Sequence, residues 1–391
     1  MTTRLLSAAD AATRLGIKRA TLYAYVSRGF LTAFTRPDRR GSWFDPLQLD
    51  AVVSRARVPA ERRPDVRIKS AVTLIERGRY WYRGVDPAAL VERATFEQVA
   101  EWLWTGAEPA RPVRWTTDAR AVGDARRAVA RLRSAASATD RLRIIVVMLA
   151  SADPLRGDLR PAGVLATARR LIANAVGALA LSPGGGIAAQ LASALSPRPM
   201  GRRALTAVDR TLGVMADHEL APSTVAVRVA ASFGADPYAA VVAGLGAIAG
   251  RRHGGASHRL EELLQTASRT RPLEALVGRL LEREGTLPGF GHPLYPDGDP
   301  RVPIILRLAR TIGPTDIADA LFAVAHRQEL PPPNVDAALA ALTRVLKLPP
   351  GSGELIFATA RLAGWLAHAM EEYADRTDFR LRSVYTGPRP A

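Results

Sequence analysis

Three of the six histidines in this chain lie at glycine- or proline-marked junctions. His218 stands in Ala216-Asp217-His218-Glu219, just ahead of Pro222-Ser223-Thr224. His253 opens His253-Gly254-Gly255-Ala256-Ser257, and His292 follows Gly289-Phe290-Gly291 and precedes Asp299-Pro300-Arg301. Glycine lets backbone come close to a ligand, and loops held on a rigid scaffold are where site residues gather. One such histidine is more often structural. Three of them, with Asp336 opening a helix in Pro333-Asn334-Val335-Asp336, are the residue types of proton transfer or metal ligation. The spacing argues against metal: there is no HxxxH or HExxH helix pair and no cysteine, so no metal site is expected.

The elements that must position these residues read as helices. Thr95 is placed to cap an apolar-faced helix over Phe96–Trp104, and further helices fit 119–135, 141–150, 161–179, 202–215, 223–233, 237–250 and 353–373. Breaks fall at Pro and Gly, alternating stretches are few, and no fixed-period repeat is present. Ser182-Pro183-Gly184-Gly185-Gly186 lacks a preceding strand and a following Lys-Ser/Thr, so it reads as an interhelical loop rather than a phosphate cradle.

Residues 1–56 follow a different logic. Ser7 caps a short helix over Ala8–Leu15, Gly16-Ile17-Lys18 makes a turn, and a second helix runs from Arg19 to Arg28 before Gly29. Ala8, Ala12, Leu15, Ile17, Leu22 and Val26 supply the buried side of a helix–turn–helix pair. The stretch from Leu31 to Phe44 suits a β-hairpin wing, and Asp45-Pro46 opens a third helix. Residues 57–66 read as a charged, proline-bounded linker.

The full chain of 391 residues is 48% hydrophobic and 23% charged, which excludes wholesale disorder. Its formal net charge is +17, and only Lys18, Lys69 and Lys347 of its 54 cations are lysines. That charge favours anionic partners such as nucleic acid, phosphorylated cofactors or carboxylates, without choosing among them. The absence of cysteine removes disulfide scaffolds, thiolate nucleophiles and iron–sulfur clusters. No signal peptide is visible, and the longest apolar stretch, from Ala239 to Gly250, falls short of the ~20 residues a membrane span needs. A cytoplasmic protein without membrane contact is expected.

Two resemblances follow. The first 56 residues resemble the winged helix–turn–helix of the MerR and excisionase type. Arg19, Arg28, Arg36, Arg39 and Arg40 fall on its second helix and wing, where such modules meet phosphates. The alternatives are a small domain that docks on its own protein and touches no DNA, and a head that governs only oligomer assembly.

Residues 67–391 resemble citrate synthase. The likeness rests on Tyr82-Arg83-Gly84-Val85-Asp86, the three histidine segments, Asn334-Val335-Asp336, the run from Ala360 to His368, and Arg380 to Gly387. It implies an all-α citrate synthase fold behind the small winged head. A large domain would take 67–254 and 346–391, and a small domain 255–345. It also implies an acyltransferase that condenses acetyl-CoA with oxaloacetate. Asp336 would be the base, His253 would hold the enolate, and His292 would polarise the oxaloacetate carbonyl. His218, Arg301, Arg361 and Arg380 would bind oxaloacetate, with Arg380 reaching in from a partner subunit, so at least a homodimer is expected. Acetyl-CoA would be a cosubstrate, with no tightly bound cofactor.

The alternatives left open are 2-methylcitrate synthase using propionyl-CoA, and a DNA-binding regulator whose body senses a metabolite. Ser257 stands where the family places an amide, Arg251-Arg252 replace Gly-Pro, Pro293 replaces a frequent arginine, and Leu381 replaces a proline.

Overall fold

The computed structural model describes residues 5–15, 17, 19, 22–23, 26, 31, 33–36, 39–46, 49, 68–108, 113–133, 136–250, 255–267, 273–375, 377 and 379. The chain divides into two compact units, Met1–Lys69 and Ser70–Ala391.

In the first unit, β1 (Leu6–Ser7) leads into α1 (Ala8–Leu15), and β2 (Phe34–Arg36) forms a hairpin with β3 (Arg39–Phe44). β3 also pairs β1, giving the antiparallel order β1-β3-β2. Ser7 caps α1, its Oγ accepting the Asp10 N–H at 3.2 Å. All six positions expected to face inward do so, joined by Ala11, Leu31, Phe44 and Leu49. Arg19 is helical and exposed, and Arg36, Arg39 and Arg40 lie on the hairpin strands. Arg28 lies outside the described residues.

The second unit opens on a hairpin of β4 (Thr73–Glu76) and β5 (Arg79–Tyr82). Arg77 and Gly78 both take positive φ, the two-residue turn that matches strand twist. The sequence reading expected helices here and missed this pair, although Thr, Ile, Tyr and Trp flank Arg77-Gly78 as strand formers flank a turn. Helices follow: α2 (Pro87–Arg93), α3 (Phe96–Thr105), α4 (Ala119–Ala130), α5 (Ala138–Ala152), α6 (Pro161–Leu179), α7 (Ile187–Leu195), α8 (Arg202–Val214), α9 (Pro222–Ser232) and α10 (Pro237–Ile248). The remainder are α11 (Gly255–Ala267), α12 (Leu273–Glu284), α13 (Arg301–Arg310), α14 (Asp316–Arg327), α15 (Val335–Val345) and α16 (Ser352–Asp375).

Local chemistry sets many of these ends. Proline sits at the start of α2, α6, α9 and α10, where its missing N–H costs nothing. Thr95 with Gln98, and Ser137 with Asp140, form reciprocal capping boxes at the heads of α3 and α5. That second box starts α5 at Ala138, three residues before the expected Arg141. The Gly184-Gly185-Gly186 stretch is an interhelical connection, with the Ile187 N–H donating to Glu97 Oε1 at 2.8 Å.

α16 forms the centre of the main core: Leu355, Ile356, Leu362, Trp365 and Leu366 are buried among α3, α6, α8, α9 and α10. A second apolar cluster gathers Leu260, Leu264, Val277, Leu321 and Val324 from α11, α12 and α14, with Leu287 from the segment after α12. α15 belongs to both, giving Ala337 and Ala340 to the second cluster and Ala338, Leu339 and Leu342 to the first. Asp336 therefore sits at the head of the helix that joins the two cores. Among the described residues no helix is long and apolar enough to cross a membrane.

Candidate functional site

A glycine in the middle of α16 brings the first loop into place. A Cβ on Gly364 would stand 2.5 Å from the Ala216 carbonyl oxygen, and the Gly364 N–H donates to that same oxygen at 2.9 Å. Only glycine permits this approach, which carries Asp217 and His218 onto the helix. The loop is then fixed from β4 and β5. Thr73 Oγ1 donates to Asp217 Oδ2 at 2.5 Å, and the Tyr82 hydroxyl bridges Asp217 N and the Val214 carbonyl. Glu219, next to His218, holds a left-handed φ of 53° that a non-glycine residue adopts only under constraint.

The second loop is held by the head of α15. Asn334 N donates to the Gly289 carbonyl and Asn334 Nδ2 to the Gly291 carbonyl, both at 2.8 Å. Gly289 has φ +79° and packs so close to α15 that a Cβ would lie 3.2 Å from Ala337 N. Asp299 ties in the third element. Its carboxylate takes Nε and Nη2 of Arg301 at 2.9 and 2.6 Å and also accepts the Val335 N–H at 3.0 Å.

These constraints converge His218, His292, Tyr80 and Tyr295. Ring centroids lie 5.4 Å apart for His218–His292, 4.8 Å for His292–Tyr295 and 5.8 Å for Tyr80–His218. Arg301 and Arg361 are buried beside them, at 1% and 2% exposure. The cluster is unfilled in hydrogen-bonding terms. His218 Nδ1 and Nε2, Tyr295 Oη, and Arg361 Nε and Nη1 are buried with no partner among the described residues. Buried polar atoms are normally satisfied, so such a concentration of donors marks a place for an acceptor-rich ligand.

Electrostatics agrees. Burial, reinforced by Arg301 and Arg361, pushes His218 well below its usual range, and burial with Arg301 takes His292 down to about 4. Both rings are therefore neutral at neutral pH. The Leu294 N–H donates to His292 Nδ1 at 3.2 Å, which places the ring proton on Nε2. His292 thus offers one N–H donor. Arg361 Nη1 lies 4.0 Å from Asp217 Oδ1, and its guanidinium carbon lies 5.0 Å from the Phe357 ring centroid. Asp217 is backed in turn by His368 Nε2 at 3.3 Å.

Asp336 caps the assembly from the first turn of α15. Burial pushes its carboxyl up to about 6, although the Ser257 hydroxyl pulls the other way. That hydroxyl donates to Asp336 Oδ1 at 2.5 Å, so the residue standing in place of an amide contacts Asp336.

The structure thus brings together His218, His292, Arg301, Arg361 and Asp336. His253 and Arg380, and the Arg251-Arg252 pair, lie outside the described residues. Sequence reasoning gave no role to Tyr80, Asp217, Tyr295 or His368. Asp217 could have been suspected as the acid beside His218, but Tyr80 carries no signal at that distance along the chain. Among the described residues no group of three or more histidine, aspartate or glutamate side chains could hold a metal ion.

Residues 65–382 match the family model "Citrate synthase, C-terminal domain". The chain is 32% identical over 189 residues to citrate synthase 2 of Bacillus subtilis, covering 46% of this chain and 51% of that protein. It is 31% identical over 199 residues to a citrate synthase of Mycolicibacterium smegmatis, covering 49% and 52%. The chain therefore spans about half the length of the curated relatives it matches. Its fold is similar to that of Thermotoga maritima citrate synthase, at a TM-score of 0.68 and 24% identity over 84% of this chain and 95% of that one. A ternary complex of Thermoplasma acidophilum citrate synthase with carboxymethyl coenzyme A and oxaloacetate superposes at 0.67 and 21% identity, over 84% and 96%.

Proposed function

Because the chain belongs to the citrate synthase family, we propose that it condenses acetyl-CoA with oxaloacetate and water to give citrate and CoA. The observation that carries this reading is the set of buried, unpartnered donors on His218, Tyr295 and Arg361 beside neutral His292. Oxaloacetate, a dianion with a keto oxygen between its carboxylates, is a ligand of that acceptor-rich kind. Arg361 meets one carboxylate. Arg301 keeps one edge on Asp299 and offers its remaining nitrogen, and Arg380 completes the set from a partner subunit of a homodimer.

In this mechanism Asp336 takes a methyl proton from acetyl-CoA. The C–H electron pair moves onto the thioester oxygen, where His253 holds the enolate. The enolate carbon attacks the keto carbon of oxaloacetate. The carbonyl pair moves to its oxygen, which receives the Nε2 proton of His292, and water then cleaves the thioester to release CoA. A carboxyl pushed up to about 6 is a stronger base than an ordinary aspartate and is still ionised at neutral pH. No tightly bound cofactor is needed.

Propionyl-CoA in place of acetyl-CoA would make the protein a 2-methylcitrate synthase; one methylene is worth only about 1–3 kcal/mol in a pocket. We assign the Met1–Lys69 unit to the winged helix–turn–helix class, on the strength of its strand order and its inward-facing residues.

Titration calorimetry with oxaloacetate tests the site. Wild type should bind, and Arg361→Ala should weaken binding at least tenfold, as expected for loss of a charged hydrogen-bonding partner. Equal affinity in the two proteins would remove Arg361 from the site.

A further inference from the structure

Resting on the reading of Asp336 as the base, we propose that Ser257 is a positioning residue that holds one oxygen of the Asp336 carboxylate, leaving Oδ2 to take the substrate proton. Ser257 is fully buried in the first turn of α11, and its hydroxyl donates to Asp336 Oδ1 at 2.5 Å. The contact joins two helices through residues 79 positions apart in the chain. Both sides are held by contacts of their own. On one side, the first turn of α16 packs against α11, so that a Cβ on Gly353 would lie 3.4 Å from Ser257 Cβ. One turn beyond Ser257, Glu261 accepts the Gly353 N–H at 2.8 Å and the Thr343 hydroxyl at 2.9 Å, locking α11 to α15 and α16. On the other side, Asp336 N donates to the capping Asn334 Oδ1 at 2.9 Å.

A carboxylate at the head of a helix, with no further constraint, turns about its terminal torsion and presents either oxygen. The Ser257 hydroxyl removes that freedom, since Oδ1 is engaged and Oδ2 carries no hydrogen bond among the described residues. A general base gains from being held within reach of one proton in one orientation. The bond also acts on proton affinity, because a hydroxyl that donates to the ionised form favours it. The other charged groups that face Asp336 are Arg301, which opposes protonation, and Asp299 and Glu261, which favour it. Ser257 and Arg301 therefore work together to keep the base ionised against two carboxylates and burial.

The test uses the full-length protein and three variants, Ser257→Ala, Ser257→Thr and Ser257→Val, with kcat and KM measured against pH by thiol release. Thr keeps the hydroxyl and Val is its near-isostere without one, so the Thr/Val pair still decides the matter if the Ala variant fails to fold. Loss of the hydroxyl should lower kcat about tenfold and move the acid limb of the profile up by about one pH unit. KM for oxaloacetate should stay within about twofold, and Thr should restore both rate and profile. A hydroxyl-free variant with wild-type kcat and acid limb would overturn the proposal. The carboxyl titration of Asp336, followed by 13C NMR and assigned with Asp336→Asn, gives a second readout that needs no turnover. If wild type shows no turnover yet its Asp336 titrates lower than in Ser257→Val, the contact stands and the catalytic reading of Asp336 fails. Identical titrations would end the proposal whatever the turnover.

Discussion

His292 has one proton to give, and the backbone decides where it sits: the Leu294 N–H occupies Nδ1, leaving Nε2 as the donor. With its proton affinity depressed to about 4, this ring stays neutral across the range in which ordinary histidines titrate. The expected pH profile of kcat/KM accordingly has no limb from His292 at its usual value near 6.5. Its acid limb belongs to Asp336, with activity rising as pH passes about 6 and the base ionises. A His292→Gln variant should lose most of its rate yet keep that limb, as a pH–rate series would show. The same shift has a stability consequence. Asp336 binds its proton more tightly folded than its usual value of 3.8 allows, so ionising it costs stability as pH rises from about 3.8 to about 6. Asp336→Asn should therefore melt higher than wild type above pH 6, with the gap closing below 4, in a calorimetric pH series. A lower melting temperature at pH 8 would contradict this account of its environment.

At the scale of elements, the site depends on close approaches that larger side chains forbid. Gly364→Ala places a methyl group against the Ala216 carbonyl and the Asp217 carboxylate, and should cost about 1–3 kcal/mol or more by overpacking. Because that approach positions Asp217 and His218, the variant should also weaken oxaloacetate binding more than the stability loss alone explains. Denaturant unfolding and calorimetry would separate the two. Part of this layer was legible in the sequence: α3 and α10 start at Phe96 and Pro237 as expected, with Thr95 as the expected cap of α3, and Pro161–Leu179 runs between its expected ends. Glycine and proline around His218 and His292 pointed to both loops. The β4–β5 hairpin was missed because its strands are four residues each, too short for alternation to stand out. The partners of Asp217 escaped notice for another reason. Tyr82 meets Asp217 across 135 residues and Thr73 meets it across 144, and no local pattern records such pairings.

For the whole molecule, the family match begins at residue 65 and leaves most of the Met1–Lys69 unit outside it. If that unit contacts DNA, Arg19→Ala combined with Arg28→Ala should weaken a gel shift uniformly across fragments and flatten its salt dependence. Unchanged affinity would leave assembly as its role, to be read from the mass in solution. The body stands or falls on its chemistry. Oxaloacetate-dependent release of CoA thiol from acetyl-CoA is the direct test, and a chain without cysteine adds no thiol of its own. Wild type should release CoA only when oxaloacetate is present, citrate should accumulate in equal amount, and Asp336→Ala should reduce the rate by at least about a thousandfold while still binding oxaloacetate. Folded wild-type protein that releases no thiol from either acetyl-CoA or propionyl-CoA, or an Asp336→Ala variant that turns over at the wild-type rate, would contradict the account.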